Sequence, residues 1–398
     1  MGKEQRTDNK KMPAAAWDLL YLAACALHDR APEEDRVALM DLDRLCRMGV
    51  FHNMAAMICM PLERTESFKS ADASTVQKWT MEKGKAIRKN MLLDASREQV
   101  LTAMEAAGIW YMPLKGSVLQ YMYPCYGMRQ NGDVDILYDV SCHKKLRRVM
   151  ENLGFRTEEL NKKYHDVFVK PTAGCFEMHG RLFDKASPTL CQYYRGVRDR
   201  LIVDEGLEYG RHFSDEDFYI YMIAHMYRHY LNAGAGFRYL ADIYVYIWKK
   251  GDALDWNYVT SEADKLGMAS FEAKMRALSR KIFGENALSN PPALTEKEKT
   301  LLADFALSGV YGTSKGLVER KMQEMHIDGG TPGAAVRRRY IVRRLFPDMD
   351  WYRRHKPFLA KHKVCIPFFL VYRVFRQLFR YRKSLKTELG ALRDIGGK

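Results

Sequence analysis

The spacing of apolar residues changes twice along this chain, and that change limits the folds available to it. From Ala14 to Ala107, and again from Asp215 onward, apolar residues recur every three to four positions, as in amphipathic helices. Between these regions several short segments alternate with period two, which is typical of strands. The pattern predicts an α+β protein in which a small mixed sheet is flanked by N-terminal and C-terminal helical segments.

The predicted strands are short, and turn residues or a helical pattern separate them. Gly108 ends the first long helical pattern. The strand segments are Ile109–Leu114, Asp133–Tyr138, Tyr164–Lys170 and Cys175–Leu182, with a helix at Ser141–Leu153. The predicted organisation is a helical region over 1–107, an α/β core over 108–205, a helical domain over 206–330 and a basic, aromatic segment over 331–398.

Length and composition exclude several classes of protein. A chain of 398 residues predicts two or three domains, and 47% hydrophobic with 28% charged residues indicates a folded, soluble protein. No apolar run is long enough for a transmembrane span. The eight cysteines form no closely spaced pair, which favours a reducing cytoplasm and argues against a cysteine zinc site.

The formal charge of +15 is concentrated near the C-terminus. Residues 337–386 hold 16 Lys and Arg against two acids, Asp348 and Asp350, so this stretch alone carries nearly the whole excess. An amphipathic helix is predicted around Phe368–Arg380. Three interpretations stay open: a helix docked on its own protein, a segment that binds RNA or another polyanion, and attachment to an anionic membrane surface.

Acidic residues in the predicted strands are the sharpest chemical signal. Asp133 and Asp135 stand two apart, so a strand projects both to one face. Adjacent carboxylates repel each other unless a cation lies between them, and Mg²⁺ prefers oxygen ligands. Glu177 adds a third acid from another strand, in the register that also points His179 and Arg181 to its face. Three converging acids can hold two Mg²⁺ or Mn²⁺ ions for phosphoryl-group chemistry.

A candidate phosphate site precedes this acidic group. Gly116 and Ser117 open a helix-like stretch directly after a strand, where backbone N–H groups and a hydroxyl can cradle phosphate. Lys115 and Arg129 would add positive charge. Together with the acids, this order of residues predicts phosphoryl or nucleotidyl transfer.

The order LKGS at 114–117, Arg129, GDVDILYD at 132–139 and FEMH at 176–179 resembles the polymerase-beta-like nucleotidyltransferase superfamily, and within it the bacterial family of uncharacterised nucleotidyltransferases. The resemblance is specific over about 108–182 and looser to about residue 265. It implies a minimal nucleotidyltransferase fold that uses an NTP as substrate.

The resemblance also assigns roles to residues. Asp133 and Asp135 would bind both metals, and Glu177 would complete the second metal site and help to deprotonate an acceptor hydroxyl. Gly116 and Ser117 would hold the triphosphate. Which NTP and which acceptor the protein uses stay open, and His179 and Arg181 are candidate contacts to the acceptor or to phosphate.

The same residues are compatible with two other functions and one other metal site. The same fold could bind a nucleotide or polyanion without turnover, and the same carboxylates could serve a metal-dependent phosphodiesterase. His225 and His229 are one helical turn apart, as in half of a zinc site, but no third ligand is evident. We interpret this segment as a helix packed beside the active site with one imidazole in a hydrogen bond.

Overall fold

The structure, a computed structural model, describes residues 12–159, 165–184, 186–232, 234–290, 292–309, 349, 359, 362–370 and 372. The chain divides into two compact units. One comprises Met12–Arg228 and Phe237–Glu298, and the other comprises Met1–Lys11, His229–Gly236 and Lys299–Lys398. Every residue predicted for the site belongs to the first unit.

Five short helices begin the first unit. Helix α1 is apolar on nearly all sides, so it is buried, and it packs against α3, α4 and a later helix, α13 (Ala269–Phe283). The helical pattern predicted from Ala14 onward is confirmed. The five helices are α1 (Ala14–Leu27), α2 (Glu34–Ala38), α3 (Leu42–Phe51), α4 (Ala55–Leu62) and α5 (Glu66–Lys69).

A helix of 34 residues, α6 (Ala73–Ala106), connects these helices to the sheet. Its first turn is capped by Asp72, whose carboxylate accepts a hydrogen bond of 3.0 Å from the Thr75 amide. After its last turn Gly108 has a φ of 64°, a left-handed conformation that glycine adopts without steric cost. The predicted helix end at this glycine is confirmed.

The sheet has five strands in the order β1-β2-β5-β4-β3. Strands β2 and β5 are parallel, whereas the other neighbouring pairs are antiparallel, so the sheet is mixed as predicted. The polar strand β3 was not predicted, because its sequence RTEE shows no apolar alternation. The strands are β1 (Tyr111–Pro113), β2 (Val134–Tyr138), β3 (Arg156–Glu159), β4 (His165–Lys170) and β5 (Gly174–His179).

One face of the sheet forms a hydrophobic core. Ile136 of β2 and Phe176 and Met178 of β5 are fully buried there, against Leu93 of α6 and Met150 of helix α8 (His143–Asn152). Because side chains alternate along a strand, the residues between these three point to the opposite face. The core thus leaves the second face for polar side chains.

The remaining elements are mostly helical. No described helix is both long enough and apolar enough to cross a membrane. The fold is α+β, as predicted. Helical segments precede and follow the sheet along the chain. These elements are α7 (Gly116–Leu119), α9 (Pro188–Tyr193), β6 (Ile202–Val203), β7 (Arg211–His212), α10 (Asp215–Asn232), α11 (Phe237–Lys250), α12 (Trp256–Lys265), α14 (Asn286–Ser289) and α15 (Glu296–Ser308).

Two predictions stay untested. The domain boundaries at 108, 206 and 331 remain predictions. The basic segment over 331–398, with its amphipathic helix, lies outside the described residues except for 349, 359, 362–370 and 372. Its three interpretations therefore stay open.

Candidate active site

Two acidic side chains lie side by side on the polar face of the sheet. Asp135 of β2 and Glu177 of β5 are register partners on neighbouring parallel strands. The strand alternation that buries Ile136 and Phe176 in the core points both carboxylates away from it. The structure thus brings together two of the three predicted acids.

The third acid, Asp133, stands just outside the strand. Strand β2 begins at Val134, so Asp133 occupies the bend that precedes it and the alternation of the strand does not orient it. Its side chain is half-buried.

Among the described residues, Lys115 brings a positive charge next to the acids. It has a φ of 28°, which is uncommon for a residue with a side chain and is a kind of strain found at functional sites. Its ammonium lies 3.2 Å from Asp135 Oδ2 and donates a hydrogen bond of 2.8 Å to His225 Nε2. The expected hydrogen bond of one imidazole in the HMYRH segment is confirmed.

Two histidines stand beside the acids. His179 Nε2 donates to Asp135 Oδ1 at 2.8 Å and lies 3.8 Å from Glu177 Oε2. His165 of β4 is the register partner of His179, and its Nε2 lies 3.5 Å from Glu177 Oε2. The predicted orientation of His179 toward the face of Glu177 is therefore observed.

The charges at the site are unequally stabilised. Burial by itself disfavours ionised Asp135, but the Lys115 ammonium and the hydrogen bond from His179 outweigh it and hold the pKa of this carboxyl well below its usual range. Burial, and next the Asp135 carboxylate, raise the pKa of both Asp133 and Glu177. Two of the three acids thus lack sufficient compensating charge.

The donor atoms fit a divalent cation. Asp135, Glu177 and His179 each offer one ligand atom, and these three atoms lie within 4.8 Å of one another. Among the described residues, this group could therefore hold a metal ion. Asp133 is not part of it. Carboxylates suit Mg²⁺ and Mn²⁺, whereas the imidazole nitrogen favours the transition metal of the two.

The turn over 114–117, called the Gly116 loop below, follows β1 and leads into α7, which begins at Gly116. The Leu114 amide donates a 3.0 Å hydrogen bond to the Asp135 carbonyl. A Cβ at Gly116 would lie 2.6 Å from Asn131 Oδ1, so glycine is required here for space. The Ser117 amide donates to the Leu114 carbonyl at 3.1 Å. The hydroxyl of this serine, rather than its amide, is therefore the group that could contact phosphate.

Arg129 is buried and points to a carboxylate rather than into open space. Its Nε and Nη2 donate to the two oxygens of Asp242 on α11 at 2.7 and 3.0 Å, and its Nη1 donates to Asn131. Asn90 of α6 binds the Arg129 carbonyl at 2.7 Å. Arg129 therefore positions the loop that leads into β2. Its guanidinium also lies close to Gly116.

Arg181 was predicted to share the strand face of Glu177. Strand β5 ends at His179, so Arg181 follows the strand and its alternation does not apply. The side chain is exposed and lines a cavity of about 670 Å³. His165 lines the same cavity, which therefore adjoins Glu177.

Sequence reasoning missed three residues of this region. His165 lies in a recognised strand, but its proximity to Glu177 depends on strand pairing. Asn131 lies between predicted strands, and nothing in the neighbouring sequence distinguishes it from other loop residues. Asp242 carried a usable signal, because a lone carboxylate within the apolar helix FRYLADIYVYIW needs a buried partner.

The model of a protein family described as uncharacterised nucleotidyltransferases matches residues 39–284, which is more than half of the chain. The chain belongs to this family, which confirms the resemblance deduced from the motifs.

Two further comparisons add little. Among solved structures, the solution structure of the antibiotic-resistance factor ANT(2'')-Ia matches with 15% sequence identity over 49% of this chain and 93% of that one, at a TM-score of 0.25. A TM-score this low carries no conclusion about this chain. No curated protein matches.

Proposed function

We propose that the protein transfers a nucleotidyl group from an NTP to a hydroxyl-bearing acceptor in a reaction that depends on Mg²⁺ or Mn²⁺. The observation that carries this proposal is the pairing of Asp135 with Glu177 across parallel strands, with His179 beside both. Family membership supports the general reaction, and the arrangement of side chains supports the roles proposed for them.

Asp135, Glu177 and His179 would hold a cation, and Asp133 would join them from the bend before β2. A divalent cation bound there would neutralise charge on the attacking, transferring and leaving oxygens. The close clustering of the acids supports a bound cation, because burial and repulsion by Asp135 disfavour the ionised forms of Asp133 and Glu177.

The remaining residues would bind and orient the reactants. The acceptor oxygen forms a bond to the α-phosphorus, the bond from that phosphorus to the bridging oxygen breaks, and pyrophosphate leaves with the bonding electrons. Glu177 would accept the proton of the acceptor hydroxyl. The Ser117 hydroxyl and the Lys115 ammonium would contact the triphosphate.

The direct test uses each α-³²P-labelled NTP with Mg²⁺ or Mn²⁺ and a fractionated pool of small hydroxyl compounds. We expect label to move to an acceptor, pyrophosphate to appear in equal amount, and Asp135→Asn to abolish both. The matched control is Asp252→Asn, which removes an exposed carboxylate outside the site. Full transfer by the Asp135 variant would contradict the assignment.

A separate measurement tests the cation. Bound Mn²⁺ loses its free-ion electron paramagnetic resonance signal, so titration of the protein gives its affinity without any turnover. The native protein and Asp252→Asn should bind alike, whereas Asp135→Asn should bind at least about tenfold more weakly. Equal Mn²⁺ affinities of the native protein and both variants would show that these residues do not bind the cation.

A further inference from the structure

The cavity beside Glu177 lies on the opposite side of the acids from the Gly116 loop. That loop reaches β2 at Asp135, near the beginning of the strand, whereas the cavity is lined by Leu137 and Tyr138 at its end. Gly180, directly after β5, lines it as well. The two parallel strands therefore have a candidate phosphate loop near Asp135 and a cavity at their carboxyl ends.

This separation matches the geometry of nucleotidyl transfer. Attacking and leaving oxygens lie roughly in line on opposite sides of the phosphorus. If the pyrophosphate leaves on the side of Gly116, the attacking hydroxyl must arrive from the side of the cavity. His165 lines the cavity and stands 3.5 Å from Glu177, so an acceptor there would have its hydroxyl next to the acids.

The walls of the cavity are basic. Arg181, Arg195 and Arg198 line it, and all three are exposed. Within the described residues, no carboxylate forms an ion pair with any of them. The one acid in the lining, Asp166, is buried and accepts a 3.1 Å hydrogen bond from Tyr138. The positive charge of these arginines thus favours binding of an anion and disfavours binding of a cation.

The walls are also aromatic. Phe183 and Tyr194 pack with ring centroids 5.1 Å apart, and Arg198 lies 5.6 Å from the centroid of the Trp110 ring. Tyr194 is 95% buried, and no described residue lies within hydrogen-bond distance of its hydroxyl. Because Phe183 and Tyr194 are almost fully buried, these rings pack the cavity wall from behind, and the exposed arginines are the side chains that a ligand would meet.

We propose that this cavity binds the acceptor, and that the acceptor is a small molecule with an anionic group, phosphate or carboxylate. The proposal rests on the proposed nucleotidyl transfer, which defines the acceptor, but the binding of a small anion to the cavity can be measured without any transfer. A volume of about 670 Å³ is sufficient for one such molecule.

Calorimetry with four probes tests the selectivity: phenyl phosphate, benzoate, benzyl alcohol and benzylamine. We expect at least one anion to bind about tenfold or more tightly than the alcohol, and the amine to bind more weakly still. The difference between phenyl phosphate and benzoate identifies which anionic group is preferred. Equal affinity for anion and alcohol would overturn the proposal.

Variants assign the binding to the cavity. The double variant Arg195→Gln/Arg198→Gln should lose the anion preference, whereas Arg147→Gln/Arg148→Gln, the same change of charge on the exposed face of α8, should keep it. Anion binding that is unchanged in the Arg195/Arg198 variant would contradict the proposal.

Competition separates the cavity from the nucleotide site. A saturating set of α,β-methylene NTPs with Mg²⁺ should leave the anionic probe bound, and displacement of the probe would assign the cavity to the NTP instead. Label transfer that persists in Asp135→Asn would refute the proposed catalysis but not these binding results. Conversely, loss of anion selectivity alone would refute only the acceptor class.

Discussion

The guanidinium of Arg129 donates hydrogen bonds to both carboxylate oxygens of Asp242, which lies 113 positions later in the chain. Both side chains are buried, and Tyr123 donates a further hydrogen bond of 2.8 Å to the same carboxylate. The pair joins α11 to the loop before β2. The positions of Gly116 and Asp133 therefore depend on an ion pair that need not touch any substrate.

Replacing Asp242 by Ala should destabilise the protein by about 3–5 kcal/mol, because Arg129 would keep a buried charge without a partner. Urea unfolding at neutral pH measures the change. The control Asp252→Asn, on the surface, should stay within about 0.5 kcal/mol of the native protein. Replacing both partners, in Arg129→Met/Asp242→Leu, should recover part of the loss, and a single variant as stable as the native protein would refute this account.

The Gly116→Ala variant should lower both stability and nucleotide binding. The new Cβ would lie 2.6 Å from Asn131 Oδ1 and 2.9 Å from Arg129 Nη1, so the loop or the buried network must shift, at a cost of about 1–3 kcal/mol. Thermal unfolding and the KM for NTP report the two effects.

Gly84→Ala is the matched control for this prediction. Gly84 lies within α6, where an added Cβ would meet only the flexible end of Arg88, at 3.1 Å. Alanine should therefore be neutral there or stabilise the helix by up to about 1 kcal/mol. The same chemical change should thus have opposite signs at the two positions, and equal effects would argue against a steric role for Gly116.

His179 should bias the site toward transition metals. Its imidazole is a better ligand for Mn²⁺ than for Mg²⁺, while the carboxylates accept both. In His179→Ala we expect Mn²⁺ affinity to fall more than Mg²⁺ affinity, as measured by Mn²⁺ titration with Mg²⁺ as competitor. His212→Ala, which removes a half-exposed imidazole paired with Asp204, is the control. An unchanged ratio would show that His179 only orients Asp135.

Asp72 should stabilise α6 in a manner that depends on pH. Hydrogen bonds from the Ser74 hydroxyl and from Thr75 lower the pKa of Asp72 to about 2, from about 3.9 in an unfolded chain. Because the folded pKa is depressed, the stabilisation is complete above the unfolded value and is lost as the pH falls toward 2. The urea midpoint of Asp72→Ala should be lower than that of the native protein at pH 6, and the gap should close between pH 4 and pH 2. A gap that is constant over this range would contradict the capping role.

Local pattern was sufficient for most secondary structure of the core. The hairpin of β4 and β5 and the end of α6 at Gly108 follow from alternation and turn residues, which neighbouring positions determine. Arg181 shows the limit of this reasoning, since alternation predicts its direction only while the strand continues. Strand β3, which is polar throughout, left no apolar pattern to detect.

The sequence by itself determined the family, the α+β class and the acids that define the chemistry, because these depend on residue types and short spacings. Only the tertiary structure decided how they meet: the parallel register of β2 and β5 places Asp135 beside Glu177 and His179, and strand pairing brings His165 to them. The burial of Arg129 against Asp242 and the basic cavity beside Glu177 were likewise decided at that level. Such contacts join residues far apart in the chain, and their free energy depends on the packing of the whole unit rather than on any local pattern.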